Sequence, residues 1–99
     1  MGIYSIIYSG NIIWSKEVSG VSKSQPVIDE KGRLYYFDRA GTVSILDLND
    51  SGNFLSANGT TYKDVSLSTI TNSQIDRINN NVTIGYDGSL YLVNDNAVV

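Results

Sequence analysis

Three groups of residues in this chain have the types and spacing to do chemistry. Asp47-x-Asn49-x-Ser51-Gly52 sets side-chain oxygens at alternate positions ahead of a glycine, the opening of a calcium loop. A complete loop needs a further acidic ligand downstream, and Leu55 and Asn58 stand where it would fall. The same run is also what a turn between strands requires, because short polar side chains bond to their own backbone. Asp29 with Glu30, and Asp87 after Tyr86, offer carboxylates of the kind that flank a glycosidic bond during hydrolysis. Both groups precede turn glycines, Gly32 and Gly88, where Asp serves local hydrogen bonding. Tyr35, Tyr36, Tyr86 and Tyr91 have faces that could stack on a sugar, yet strand tyrosines are ordinarily half-buried packing residues. Asn58-Gly59-Thr60 and Asn81-Val82-Thr83 are glycosylation sequons.

Composition removes most other chemistry. The 99 residues contain no Cys and no His, so thiol nucleophiles, Cys- or His-ligated metals, haem held by His and every Ser-His-Asp arrangement are excluded. Seven Lys plus Arg against ten Asp plus Glu give a net charge of −3, which supplies no basic patch for nucleic acid. The apolar run at 3–13 is broken by Ser5, Ser9, Gly10 and Asn11, so no membrane-spanning helix is expected, and no basic residue precedes it as in a signal peptide. Met1-Gly2 opens like a myristoylation site, but position 6 is Ile6 rather than Ser or Thr. No catalytic residue, cofactor or metal is therefore assigned, and no turnover is expected of these residues alone.

The elements that must carry these residues read as short strands joined by Gly, Asn and Asp turns. A hairpin is expected around Ser9-Gly10-Asn11, with Gly2-Ile3-Tyr4-Ser5-Ile6-Ile7-Tyr8 on one arm and Ile12-Ile13-Trp14-Ser15 on the other. A polar loop over 19–25 leads to a strand opened by Pro26, a position where the missing N–H is tolerated. Turns at Glu30-Lys31-Gly32 and Arg39-Ala40-Gly41 then separate Arg33-Leu34-Tyr35-Tyr36-Phe37-Asp38 from Thr42-Val43-Ser44-Ile45-Leu46-Asp47, so that the strands form an antiparallel meander. Alternation over Val65-Ser66-Leu67-Ser68-Thr69-Ile70 predicts another strand, and Gln74-Ile75-Asp76-Arg77-Ile78-Asn79, with Ile75 and Ile78 at i and i+3, a single helical turn or a loop. The stretch 57–81 reads as a solvated insertion. The expected core is Ile6, Ile12, Trp14, Val27, Leu34, Tyr35, Val43, Ile45, Leu46, Ile84, Leu90 and Leu92.

Part of the chain repeats. Val27-Ile28-Asp29-Glu30-Lys31-Gly32-Arg33-Leu34-Tyr35 aligns with Thr83-Ile84-Gly85-Tyr86-Asp87-Gly88-Ser89-Leu90-Tyr91, 56 residues on. The same offset carries Gly41-Thr42-Val43 onto Ala97-Val98-Val99. A further echo links Gly2-x-Tyr4-x-Ile6-Ile7 and Gly10-Asn11 with Gly41-x-Val43-x-Ile45-Leu46 and Gly52-Asn53. Self-similarity on this scale marks a repeat architecture.

The order Gly10-Asn11-x-x-Trp14, Ser24-Gln25-Pro26-Val27-Ile28-Asp29, Gly32-Arg33-Leu34-Tyr35 and Gly41-Thr42-Val43-x-Ile45-Leu46-Asp47 resembles a PQQ-like β-propeller repeat. The closing run with Gly88, Leu90 and Tyr91 is equally similar to NHL-type propeller repeats. The resemblance implies an all-β fold of antiparallel meander blades: 10–48 a first blade, 49–99 a second with its insertion near 57–81, and 1–9 a strand that completes a neighbouring blade. It implies a noncatalytic scaffold or interaction module. Its partner is itself, head to tail, or further blades of a longer chain, since a closed ring needs about four to eight blades of about forty residues. The resemblance also allows a fragment of a quinoprotein-type enzyme, and the richness in Ser, Asn and Tyr suggests as a further alternative a surface or phage-fibre receptor-binding module. None of the cofactor-holding positions of the quinone enzymes is matched in this sequence.

Overall fold

In the computed structural model, residues 2–6 and 9–93 are described. They form β1 (Gly2–Ile6), β2 (Ile12–Glu17), β3 (Val27–Ile28), β4 (Arg33–Phe37), β5 (Thr42–Asp47), β6 (Asn53–Phe54), β7 (Ser56–Ala57), β8 (Thr60–Thr61) and β9 (Val65–Ser66). A single α-helical turn, α1 (Leu67–Thr71), follows, then β10 (Thr83–Ile84) and β11 (Leu90–Tyr91). The fold is all-β and its pairings are antiparallel. Expectations that involve Ile7, Tyr8 and 94–99, including the echo at Ala97-Val98-Val99, lie outside the described residues.

One turn design recurs three times. The Asp29 N–H donates to the Arg33 carbonyl (3.0 Å) and the Gly32 N–H to the Asp29 carbonyl (3.1 Å). Asp38 and Gly41 repeat this with Thr42 (3.0 and 3.2 Å), and Gly85 and Gly88 repeat it with Ser89 (2.7 and 3.0 Å). The fourth residue of each turn is left-handed, with φ of 81° at Gly32, 94° at Gly41 and 86° at Gly88, a conformation that only glycine enters freely. In the first two turns the leading Asp also accepts from the closing residue's N–H through its carboxylate, at 2.9 Å for Asp29 and 3.0 Å for Asp38.

The central sheet runs β3-β4-β5-β6, with β9 also on β5. The fourth position in it is composite. β6 pairs with Leu46 and Asp47, whereas β9 pairs with Thr42 and Val43 at the other end of β5. Between them the Leu55 N–H donates to the Ile45 carbonyl (2.8 Å) and the Ile45 N–H to the Tyr62 carbonyl (2.9 Å). The β7–β8 hairpin projects from this interruption on an Asn58-Gly59 turn, both residues left-handed. The hydrogen-bonded unit therefore spans 27–66, out of phase with the sequence repeat.

Alternation along β4 and β5 gives the sheet two apolar faces. Leu34, Tyr36 and Leu46 pack with Val18 and half-buried Ile3, Trp14, Leu48 and Phe54, so the β1–β2 hairpin covers that face. Phe37 and Val43 pack with Leu67, Ile78, Val82 and half-buried Tyr35, Ile45, Leu90 and Leu92, so 67–92 covers the other. Each fully buried side chain of this kind contributes about 1.5–3 kcal/mol.

The structure corrects several expectations. The 65–70 run is a strand only at Val65–Ser66, because the Ser66 hydroxyl then caps a helical turn by accepting from the Thr69 N–H, and left-handed Asn72 ends it. Of the two forms expected for 74–79, the structure has the loop and not the helical turn: the Ile75 N–H donates to the Ser68 hydroxyl (2.8 Å) and the Ile78 N–H to the Arg39 carbonyl (3.0 Å), which takes the backbone away from helical partners. The insertion is not a solvated loop, since Leu67 and Ile78 are core residues. In the core, Leu34, Val43 and Leu46 are buried as expected, whereas Ile6 and Ile12 are each 59% exposed. They pair with each other beyond a bulge at Ser5/Ile6, and Ile6 stands with Tyr4 on the hairpin face opposite the one that Ile3 and Trp14 turn inward.

Candidate functional site

The residues with chemical potential converge between two of the three equivalent turns. Asp29, Glu30, Lys31, Arg33 and Tyr35 of the β3–β4 hairpin face Gly85, Tyr86, Asp87 and Gly88 of the β10–β11 hairpin across a cleft of about 400 Å³. Ile28 and Ile84 also line it. Asp29, Glu30 and Lys31 of one wall correspond to Gly85, Tyr86 and Asp87 of the other, 56 residues on.

Asp29 is fully committed within its own hairpin. Its Oδ1 accepts from the N–H groups of Lys31 (3.0 Å) and Arg33 (2.9 Å), and its Oδ2 accepts from the Tyr35 hydroxyl (2.8 Å). Partial burial works against ionisation, but these donors and the Arg33 charge outweigh it and hold the carboxyl below its ordinary value. Burial, then the hydrogen bond to Asp29, pushes the Tyr35 hydroxyl up. Asp87 is lowered by the Ser89 N–H, which donates to its Oδ1 at 3.0 Å. Thus the three carboxylates singled out in the sequence do meet in one cleft, and Asp29 and Asp87 are held below the ordinary carboxylate value. Neither has the raised pKa of a proton donor in glycoside hydrolysis. The cleft presents carboxylates, two cations and the fully exposed ring of Tyr86, a surface for polar contact.

The remaining candidates serve the fold. Asp47 accepts from the Asn49 N–H and starts a 3-10 turn over Leu48–Asp50, while the Asn49 amide donates to the Lys31 carbonyl (2.9 Å). Asp47 and Asn49 of the calcium-like run thus make turn contacts, and no cluster of three or more acidic residues able to hold a metal occurs among the described residues. The buried Tyr36 donates its hydroxyl to the Gly20 carbonyl (3.2 Å). Of the two sequons, Asn58 sits at an exposed hairpin tip, and the Asn81 side chain is tied to the Gln25 N–H (2.9 Å).

The repeat-signature residues spread over the molecule. Gly10 lies in the β1–β2 turn with open space around it, Pro26 is exposed ahead of β3, and Gly32 abuts the Asn49 amide. Trp14 is half-buried over Gly52, and buried Gly41 meets the Ile75 carbonyl. Leu34 is core, Tyr35 lines the cleft, Gly88 forms its far rim, Leu90 packs inward and Tyr91 is exposed. Sequence reasoning missed Lys31 and Arg33 as cleft residues. Their place beside the repeated turn was the available signal.

Equivalent positions also bond to each other directly. The Ser24 hydroxyl donates to the Asn80 carbonyl and the Gln25 N–H to Asn81 Oδ1, each pair separated by the repeat offset of 56. No protein-family model matches the chain, and no curated protein matches it.

Proposed function

We propose that the chain is a noncatalytic scaffold or interaction module built of propeller-type blades, with the PQQ-like repeat as the nearest resemblance and the NHL type second. The observation that supports this reading best is the contact between equivalent positions, Ser24 with Asn80 and Gln25 with Asn81, beside two hairpins closed by the same hydrogen bonds. Such contacts arise where successive units of a repeat stand side by side in like orientation, as blades do around an axis. In that arrangement β1–β2, the central sheet and β10–β11 belong to three successive blades stacked face to face. The cleft between the turns at Asp29 and Gly85 is then a groove between neighbouring blades. Groups held ionised and spent on turn geometry suit such a module better than an acid–base catalyst.

Tandem duplication of residues 29–84 tests the reading. The junction places Ile84 before Asp29, as Ile28 stands before it in the natural chain. A repeat architecture accepts the extra unit, and the longer chain is expected to keep the β-type circular dichroism and melt at the same or a higher temperature. An aggregated or unfolded product would overturn the repeat reading. Addition of the quinone cofactor with calcium is expected to leave Trp14 fluorescence unchanged, whereas a saturable response would favour a quinoprotein fragment.

A further inference from the structure

The two outer sheets of the chain are complementary halves. Among the described residues β1 pairs only with β2 and β11 only with β10. Isolated two-stranded sheets are marginal in water, and open edges invite pairing. Each half also leaves one apolar face uncovered. In β11 and just beyond it, Leu90 and Leu92 pack on the central sheet, while Tyr91 is 59% and Val93 56% exposed. In β1, Ile3 packs on the central sheet from its other side, while Tyr4 is 56% and Ile6 59% exposed.

We infer that a second copy of this chain covers these residues, the β1 edge of one copy adding to the β11 edge of the next. The inference rests on the blade reading above. β11 corresponds by the offset of 56 to β4, and β1 echoes β5, so the joint sheet repeats the β4–β5 pairing that the chain already makes. Its strand order, β10-β11 followed by β1 and β2 of the partner subunit, copies β3-β4-β5-β6.

The side-chain faces fix the register. Residues directly opposite in an antiparallel pair share a face. Leu90 and Leu92 point toward their own central sheet, and the residues opposite them must be those the partner leaves outward. That places Leu90 opposite the partner's Ile6 and Leu92 opposite the partner's Tyr4, with Tyr91 opposite the partner's Ser5. The joined sheet is then covered on both faces, by one central sheet through Leu90 and Leu92 and by the other through the partner's Ile3 and the partner's Trp14. The literal sequence echo, Gly2 with Gly41, would set the partner's Ser5 against Leu92. That slip of one residue would turn every apolar side chain to the wrong face. The contact is head to tail, and copies continue until the ring closes.

The chain has no cysteine, so engineered thiols report the pairing without background. Tyr4→Cys and Leu92→Cys, made as separate proteins, mixed at micromolar concentration and oxidised, are expected to give a mixed disulfide dimer. Ser5→Cys with Leu92→Cys should react at least about tenfold more slowly, since its thiols point to opposite faces. The unmodified chain should sediment as a species larger than the monomer. Tyr91→Lys, which places a charge on the exposed face, should sediment as a monomer with unchanged circular dichroism. A monomeric natural chain with no Tyr4→Cys/Leu92→Cys adduct would overturn the inference, as would faster cross-linking through Ser5→Cys or Tyr4→Cys homodimers. If the duplicated 29–84 chain folds while the natural chain stays monomeric, the pairing falls and the blade reading stands.

Discussion

The indole of Trp14 lies over the backbone of Gly52, so closely that a Cβ on Gly52 would stand 2.6 Å from the ring. Gly52 is also left-handed, at φ 71°. Through this contact the β1–β2 hairpin is seated on the central sheet. Trp14→Ala is expected to cost about 2–4 kcal/mol, toward the lower end for aromatic truncation because the ring is half-buried. Gly52→Ala should cost about 1–3 kcal/mol from backbone strain and the clash together. In the Trp14→Ala background only the strain remains, so the second substitution should cost less. Urea unfolding followed by circular dichroism measures all three, and strictly additive losses would show that the two residues are not coupled.

Gly41 and Gly88 close equivalent turns at nearly the same φ, yet their surroundings differ. A Cβ on Gly41 would clash with the Ile75 carbonyl, whereas one on Gly88 would meet nothing within 4 Å. Gly88→Ala is expected to cost about 1–2 kcal/mol, the left-handed penalty alone. Gly41→Ala should cost more than that, because 75–78 must move off the turn. Equal losses on thermal melting would mean that this segment is not seated on Gly41.

Stability should depend on pH at both ends of the scale. Asp29, held below its ordinary value, stabilises the folded chain fully above the unfolded value near 3.8 and loses that contribution as pH falls through its lower folded value. Tyr35 and Tyr36 are raised above 10.0, first by burial, so their neutral forms stabilise the fold up to about pH 10 and the benefit is lost as pH climbs through the raised values. Denaturation midpoints should therefore be level near neutrality and fall at both extremes. Asp29→Asn should flatten the acid limb, and Tyr35→Phe part of the alkaline one.

The insertion divides into a dispensable part and an essential part. Removing 56–61 and joining Leu55 to Tyr62 leaves both hydrogen bonds to Ile45 in reach, and the melting temperature should shift by only a few degrees. Ile78 is fully buried among Phe37, Val43, Leu67 and Val82, so Ile78→Ala should cost about 2–5 kcal/mol. Calorimetry on the two variants distinguishes them, and a deletion as damaging as the point substitution would contradict the division.

What the sequence made legible was local. The Asp-x-x-Gly turns at Asp29 and Asp38, the hairpin around Gly10 and the order of β3, β4 and β5 follow from turn chemistry and short apolar runs. The 56-residue offset was legible too, and it pointed to the two walls of the cleft. What was not legible depended on distant partners. Ser66 caps a helical turn that period-2 alternation hides, Ser68 and Arg39 take the N–H groups of Ile75 and Ile78, and Ile78 reaches the core although its neighbours are polar. Ile6 and Ile12 show the reverse, apolar residues left outside because their hairpin turns only one face inward. Asp29, Glu30 and Asp87 were found by residue type, but only geometry showed that Asp29 spends its oxygens on its own turn.

The interrupted fourth strand makes the molecule a natural display frame. Leu55 and Tyr62 both bond to Ile45, one on each side of the projecting hairpin, and the sheet reads straight across the gap. Its register is set by those two anchors and not by the number of residues between them. Each doubling of the intervening loop costs only about 0.6 kcal/mol of closure entropy. A foreign peptide spliced between Asn58 and Gly59 would therefore be held as a closed loop, its ends fixed by the sheet and its length free to vary.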